Sequence, residues 1–239
     1  MTDLEKKIAT KLGVLTAKDF DDVKKFGDRI LKISAYSSER NCQLYVDAEQ
    51  TFIQAGIESF GQQMTHKLNQ ADKVIIMNGY QCYLKRMAHT IPMEVKASQV
   101  FGFNLGIKLI RGAYMMEERS LAEKEGVESP VWDDIEATHK CYNDSMDHII
   151  THMDNQDMLF VASHNNTTCD KAIELIEEYG FRENERVRFG QLRGFSDQVT
   201  GGLAEKRFKV FKYLPFGPTE QVMPYLVRRG QESRQVLRE

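Results

Sequence analysis

Short runs rich in apolar, β-branched and aromatic residues recur along the chain, separated by stretches whose apolar positions repeat every three or four residues. The runs are QLYVDA around Val46, KVIIMN around Ile75, GIKLIRGAY around Leu109, MLFVASHN around Val161, RVRFGQL around Phe189 and KVFKYLPFG around Phe211. They predict six strands, with a weaker candidate near residues 127–136. The clearest helix spans residues 167–179: Thr167 and Asp170 predict a capping box, and Ala172, Ile173, Leu175 and Ile176 supply the apolar stripe. Gly180 then ends it as a C′ glycine would. Residues 22–42 contain LKISAY, which looks briefly like a strand. The spacing of Val23, Phe26, Ile30, Ile33 and Tyr36 predicts a helix instead.

Strands alternating with helices are forced into parallel order by right-handed crossovers, giving either an open doubly wound sheet or a closed barrel. Polar residues mark nearly every strand's C-terminal end: Asp47 and Glu49, Asn78 and Gln81, Arg111 and Tyr114, His164 and Asn165, Gln191, and Tyr213. A barrel would gather these ends at one mouth, so the expected class is α/β, a TIM-type barrel. No repeat or Pro-rich linker divides the chain. The expected organisation is one domain, with residues 1–42 as a helical segment packed on a barrel portion, 43–239.

The 239 residues are 41% hydrophobic and 28% charged, enough for one sizeable core. A net charge of -3 with dispersed basic residues leaves no footprint for nucleic acid. No apolar run approaches the roughly 18 residues that span a bilayer, and MTDLEKKIAT has no secretory apolar core. Cys42, Cys82, Cys141 and Cys169 are widely spaced and read as reduced thiols.

Near the C-terminus, YLVRRGQE sets Tyr225, Arg228, Arg229 and Glu232 at i, i+3, i+4 and i+7, one helical face. Val222 and Leu226 can turn that face toward the barrel. Two adjacent guanidinium groups suit a carboxylate; the competing reading is a solvated arginine pair. In VDAEQT, Asp47 and Glu49 point to one side of a strand end, as a metal-binding or acid/base pair or as a brace for a cation. Gly112 and Ala113 remove bulk after a strand, so a flat ring could approach the backbone. Neither GxGxxG nor GxxxxGK[ST] occurs, which argues against a Rossmann or P-loop site. His164 and Asn165 follow an apolar strand, where a histidine could donate to a phosphate or ring carbonyl. His148 and His152 are four apart without a third metal ligand, so no metal is expected.

Taken together, VDAEQT, NGYQCYLK, KLIRGAY, ASHN, FGQLRGFSDQ, YLPFG and YLVRRGQE resemble, in order and spacing, the proline dehydrogenase family, in its monofunctional eukaryotic-type branch. The resemblance covers about residues 15 to 235. It implies a distorted (βα)8 barrel with FAD across the strand ends, oxidising L-proline to Δ1-pyrroline-5-carboxylate and passing electrons to a quinone. By resemblance, Arg228 and Arg229 grip the substrate carboxylate, Asp47 braces them, and Tyr114, Leu192, Tyr213 and Tyr225 wall the ring. Asn78, Lys108, Gly112, Ala113, His164 and Asn165 match the flavin positions, with Gln191 adjacent and Glu232 supporting the arginines. Lys108 stands where bacterial relatives carry arginine, and a cation there would stabilise negative charge on the reduced flavin. The resemblance also implies mitochondrial localisation, on the matrix side of the inner membrane with peripheral membrane contact.

The family's first barrel strand has no counterpart if residues 22–42 are helical. Only about a dozen residues separate KISA from the next strand, roughly the minimum for a crossover. An open barrel exposes strand edges, so the N-terminal helix, or a second copy in a homo-oligomer, is expected to plug the gap. Three readings stand: a proline dehydrogenase, a hydroxyproline-preferring relative, and a non-catalytic barrel that binds partners.

Overall fold

The computed structural model describes residues 13, 15–154, 156–181 and 185–232, with the side chains of Arg228, Gln231 and Glu232 outside the described part. In chain order the elements are α1 (Ala17–Glu39), β1 (Leu44–Val46), α2 (Thr51–Leu68), β2 (Ile76–Gln81), α3 (Met87–Phe101), β3 (Gly106–Ile110), α4 (Met115–Glu125), α5 (Ile135–His152), β4 (Met158–Ala162), α6 (Asn166–Glu178), β5 (Val187–Leu192), α7 (Asp197–Glu205), β6 (Val210–Tyr213) and α8 (Thr219–Glu232). All six strands are parallel and pair in sequence order, forming a half-barrel whose edges are β1 and β6.

Period-two alternation divides the strand residues between two faces. Ile107 and Leu109, Leu159 and Val161, and Val187 and Phe189 face outward into the main core, under Ile91 and Val95 of α3, Tyr142 and Met146 of α5, and Ile173 and Ile176 of α6. Met77, Met158 and Phe160 face the concave side. Gly190 lies beside Phe160, and a Cβ there would stand 2.3 Å from the Phe160 ring. Gly190→Ala is therefore expected to overpack the concave layer, lowering unfolding stability by roughly 1–3 kcal/mol, measured by denaturant titration. The floor is tied across the barrel: Arg188 Nη1 donates to Gln43 Oε1 at 2.6 Å, and Gln43 Nε2 donates to the Val74 carbonyl at 3.1 Å.

The helix expected over residues 22–42 is present as α1. Its capping box has the Asp19 amide donating to Thr16 Oγ1 at 3.3 Å and the Thr16 amide donating to Asp19 Oδ2 at 2.6 Å. It does not plug the gap between the edges. Phe26 packs edge-on to Phe60 of α2, Ser34 contacts Met64, and Ile30 joins the cluster of Met64, Ile75 and Ile76, so α1 lies on the convex side.

Two local expectations are corrected. Asn165, not Thr167, caps α6: its Oδ1 accepts the Thr168 amide at 2.9 Å, two residues earlier than the expected box. The candidate strand near 127–136 is a single antiparallel bridge, Leu84 to Val131. Pro130 has no N–H with which to extend a ladder, and Asp134 caps α5 directly afterwards.

Candidate active site

The strand ends converge on the concave mouth. In the parallel register Gly79 pairs with Lys108, and Asp47 follows the Val46–Asn78 pair. Asp47 and Lys108 therefore face each other over a glycine, with Lys108 Nζ 2.5 Å from Asp47 Oδ1. Lys108 has 17% of its side chain exposed and Asp47 56%, so the cation is largely withdrawn from water while its counter-ion is open to the mouth. Sixty-one positions separate the two in sequence, and only the register brings them together.

The neighbouring loops are fastened by carboxylates. Glu49 accepts the Tyr114 hydroxyl, which links the end of β1 to the turn after β3. Glu118 of α4, almost fully buried, accepts the Thr51 amide at 2.7 Å and the Thr51 hydroxyl at 2.5 Å. These bonds satisfy an orphan donor at the start of α2 and hold Asp47's loop to Tyr114's.

On the far side, His164 Nε2 accepts the Leu192 amide at 3.0 Å. The imidazole is thereby neutral, with Nδ1 as its N–H. Burial, followed by the charges of Lys212 and Arg111, lowers its pKa from the ordinary value. Stability from the neutral form is complete above the unfolded pKa of about 6.5 and declines as pH falls toward the lower folded value. Thermal unfolding midpoints should drop as pH falls below about 6.5, and His164→Gln, which keeps an acceptor, should flatten that slope. Arg111, by contrast, is committed to structure. It donates to His139 Nδ1 at 3.0 Å, Ser163 Oγ at 2.6 Å and Thr168 Oγ1 at 2.5 Å, and lies over the Tyr142 ring.

The last strand and helix bring together the C-terminal motif. Tyr213, at the end of β6, and Tyr225 of α8 have ring centroids 6.1 Å apart, and the Arg229 guanidinium lies 5.5 Å from the Tyr225 centroid. Leu192 pairs with Tyr213 in the register, so its side chain borders the same cluster. Val222 is half-buried but Leu226 is exposed, so only part of the expected apolar pair turns inward. The side chains of Arg228 and Glu232 lie outside the described residues, although both positions belong to α8.

Not every expected residue faces the mouth. Asn78 is out of phase with Met77 and Gly79, and its Nδ2 donates to Thr65 of α2 at 2.9 Å. Gln191 faces α7, accepting the Thr200 hydroxyl at 3.0 Å and donating to the Ser163 carbonyl at 3.2 Å. Gly112 is needed for a neighbour: a Cβ there would stand 2.8 Å from the Tyr83 ring. Ala113 is half-buried in the turn that follows, and Asn165 is engaged as the α6 cap.

Gln81 is the residue that motif reading left out of the site. It lies in phase with Met77 and Gly79 on the concave face, is 1% exposed, and neither its Oε1 nor its Nε2 has a hydrogen-bond partner among the described residues. A buried amide carrying both an unmet donor and an unmet acceptor is costly. It would be satisfied by a group that offers a donor and an acceptor together. Its signals in the sequence were its polar character at the end of a strand and its strand phase.

The model of the family described as proline dehydrogenase matches residues 2–238. The chain is 37% identical over 227 residues to "Proline dehydrogenase 1, mitochondrial" of Dictyostelium discoideum, covering 92% of this chain and 40% of that protein. It is 34% identical over 213 residues to "Hydroxyproline dehydrogenase" of Xenopus laevis, covering 87% of this chain and 46% of that protein. The chain thus spans less than half the length of these relatives. Among solved structures, proline utilization A (PutA) from Bdellovibrio bacteriovorus, inactivated by N-propargylglycine, superposes with a TM-score of 0.81 at 20% identity, covering 89% of this chain and 22% of that one. That likeness bears on the half-barrel fold.

Proposed function

Because the chain belongs to the proline dehydrogenase family, we propose that its concave mouth binds FAD and oxidises L-proline to Δ1-pyrroline-5-carboxylate, with a quinone as electron acceptor. The observation that carries this reading is the convergence on one mouth of the Lys108–Asp47 pair, the unpartnered Gln81 amide and the Tyr213–Tyr225–Arg229 cluster. When bound, FAD would supply the hydride acceptor. Gln81, Lys108 and the His164 Nδ1–H are the groups that would hold it.

The chain's own residues would do the rest. Arg229, with Arg228 beside it on α8, offers planar donors for a carboxylate. The Tyr213 and Tyr225 rings form an apolar wall that keeps water from a small ring. Asp47 fixes Lys108 at the base of the mouth, so that a positive charge is already in place where negative charge develops. Hydride transfer depends on orientation, and the rigid strand ends supply it.

The test is an absorbance spectrum of the purified protein after incubation with FAD. A retained flavin band that bleaches on anaerobic addition of proline is the expected result. A protein that retains no flavin contradicts the proposal and favours a binding role. The Xenopus relative motivates a second reading, hydroxyproline as the preferred substrate; comparing kcat/KM for the two imino acids decides between them. The relatives named mitochondrial support a mitochondrial location, which we place at the matrix side of the inner membrane. Among the described residues no helix is long and apolar enough to cross a membrane; the membrane contact we propose is peripheral.

A further inference from the structure

Among the described residues, Asn41, Ala71, Glu185, Ser196 and Arg207 have positive φ without being glycine. Four of them lie in turns that lead from a helix into the next strand, on the side of the barrel away from the mouth. Ser196, at φ 49° and ψ 45°, sits instead in the strand-to-helix turn between β5 and α7, at the mouth. It is the N-cap of α7, a position where extended backbone is usual, and its side chain makes no capping bond. A β-carbon crowds the backbone in this left-handed conformation, so the surroundings must hold it there.

Lys212 of β6 does so. Its Nζ donates to the Phe195 carbonyl at 2.7 Å and lies 2.8 Å from Asp197 Oδ1, so one ammonium grips the residues on both sides of Ser196. Its third contact is the Leu192 carbonyl at 3.4 Å, onto which the Phe195 amide also closes a β-turn at 3.2 Å. Three acceptors match the three N–H groups of an ammonium. Lys212 is in phase with Val210, which packs on the main core, and out of phase with Tyr213, so it works from behind the turn. The front of the turn carries groups of the mouth. The Leu192 amide donates to His164 Nε2 at 3.0 Å, the Ser196 hydroxyl to the His164 carbonyl at 3.4 Å, and the Arg193 amide to the Tyr213 carbonyl at 3.0 Å.

We propose that Lys212 is a positioning residue: it holds the β5–α7 turn in its strained form and thereby sets Leu192 and His164 for binding of the substrate ring. The proposal rests on the function proposed above, in which Leu192 borders the tyrosine cluster and His164 holds the flavin. Without the ammonium, Ser196 is free to leave the left-handed region, and the segment from Leu192 to Asp197 loses its common anchor. Only the held form presents the Leu192 wall, so the apparent affinity for a small ring falls with the fraction of molecules in that form.

The test is a double-mutant cycle on the full chain with excess FAD, in which Lys212→Met is made alone and in a Ser196→Gly background. Glycine takes the left-handed conformation without the β-carbon penalty, so the turn then needs less holding. Lys212→Met alone should raise KM for proline by about 5- to 30-fold, the factor that strain of this size is worth, and leave kcat nearly unchanged. In the Ser196→Gly background the same substitution should raise KM by a clearly smaller factor. Trypsin cleavage after the exposed Arg193, read by mass spectrometry, should accelerate in the same pattern and reports on the turn without the reaction. The charge of Lys212 also bears on His164, but its loss is common to both backgrounds. Equal losses in the two backgrounds, or a fall in kcat at unchanged KM, would therefore overturn the proposal. Should Lys212→Met fail to fold, Asp197→Ala at a position 75% exposed removes one grip and should show the same pattern in smaller measure, with equal losses again counting against it. A wild-type protein that oxidises no proline would instead sink the proposed function, while the cleavage rates still decide whether Lys212 holds the turn.

Discussion

Lys108→Ala is expected to slow reduction of bound flavin by proline on the order of 10²–10³-fold, the effect of removing one preorganised electrostatic group. Burial sets the size of the effect. Lys108 has 17% of its side chain exposed and no described carboxylate partner besides Asp47, so little water would replace the lost charge. Its counter-ion is different: Asp47 is 56% exposed, and deleting the lysine leaves a solvated carboxylate, not a buried unpaired one. Folding stability should therefore change by only about 0–1 kcal/mol, as for exposed ion pairs. Lys108→Arg, which keeps the charge, should restore most of the rate. Anaerobic stopped-flow bleaching at saturating proline, with thermal unfolding in parallel, separates the two effects. Unchanged bleaching in Lys108→Ala would remove Lys108 from the proposed chemistry.

How far the sequence speaks for itself depends on which signal each feature uses. Strand β4 was legible because a parallel strand covered on both faces is a nearly continuous apolar run, as in MLFVA. The start of α6 was not, because Asn165 and Thr167 can each cap a helix and the choice is made by the backbone at the end of β4, where Asn165 is extended. Tyr225 and Arg229, four apart on α8, were placed on one face by period alone, and the cation indeed lies over that ring. Facing direction on the strands was harder. Asn78 and Gln81 both look like polar residues near the end of β2, yet they differ by three positions and so point to opposite faces. Asn78 reaches Thr65 on the convex side, while Gln81 is sealed into the concave one. The Lys108–Asp47 pair had no local signal, since it exists only through the register of β1, β2 and β3. Nor did the pattern disclose that α1 would settle against α2, a choice made by Ile30, Ser34 and Phe26 finding Met64 and Phe60.

Arg229→Met is expected to lower kcat/KM for proline by about 2–4 kcal/mol, on the order of 10²-fold, the cost of removing one member of a desolvated charge pair. Methionine keeps an unbranched stem that can pack beside Tyr225, so the loss reports the guanidinium and not the contact area. Lysine should recover only part of the loss, because a point charge cannot reproduce the planar, bidentate donor set. The decisive measurement compares two ligands. Proline presents a carboxylate and pyrrolidine does not, so the wild-type preference for proline over pyrrolidine contains the arginine's contribution, and in Arg229→Met that preference should shrink by the same factor as kcat/KM. A variant with reduced activity but an undiminished preference would place Arg229 in the packing of α8 against Tyr213, acting on the wall of the site instead of on the carboxylate.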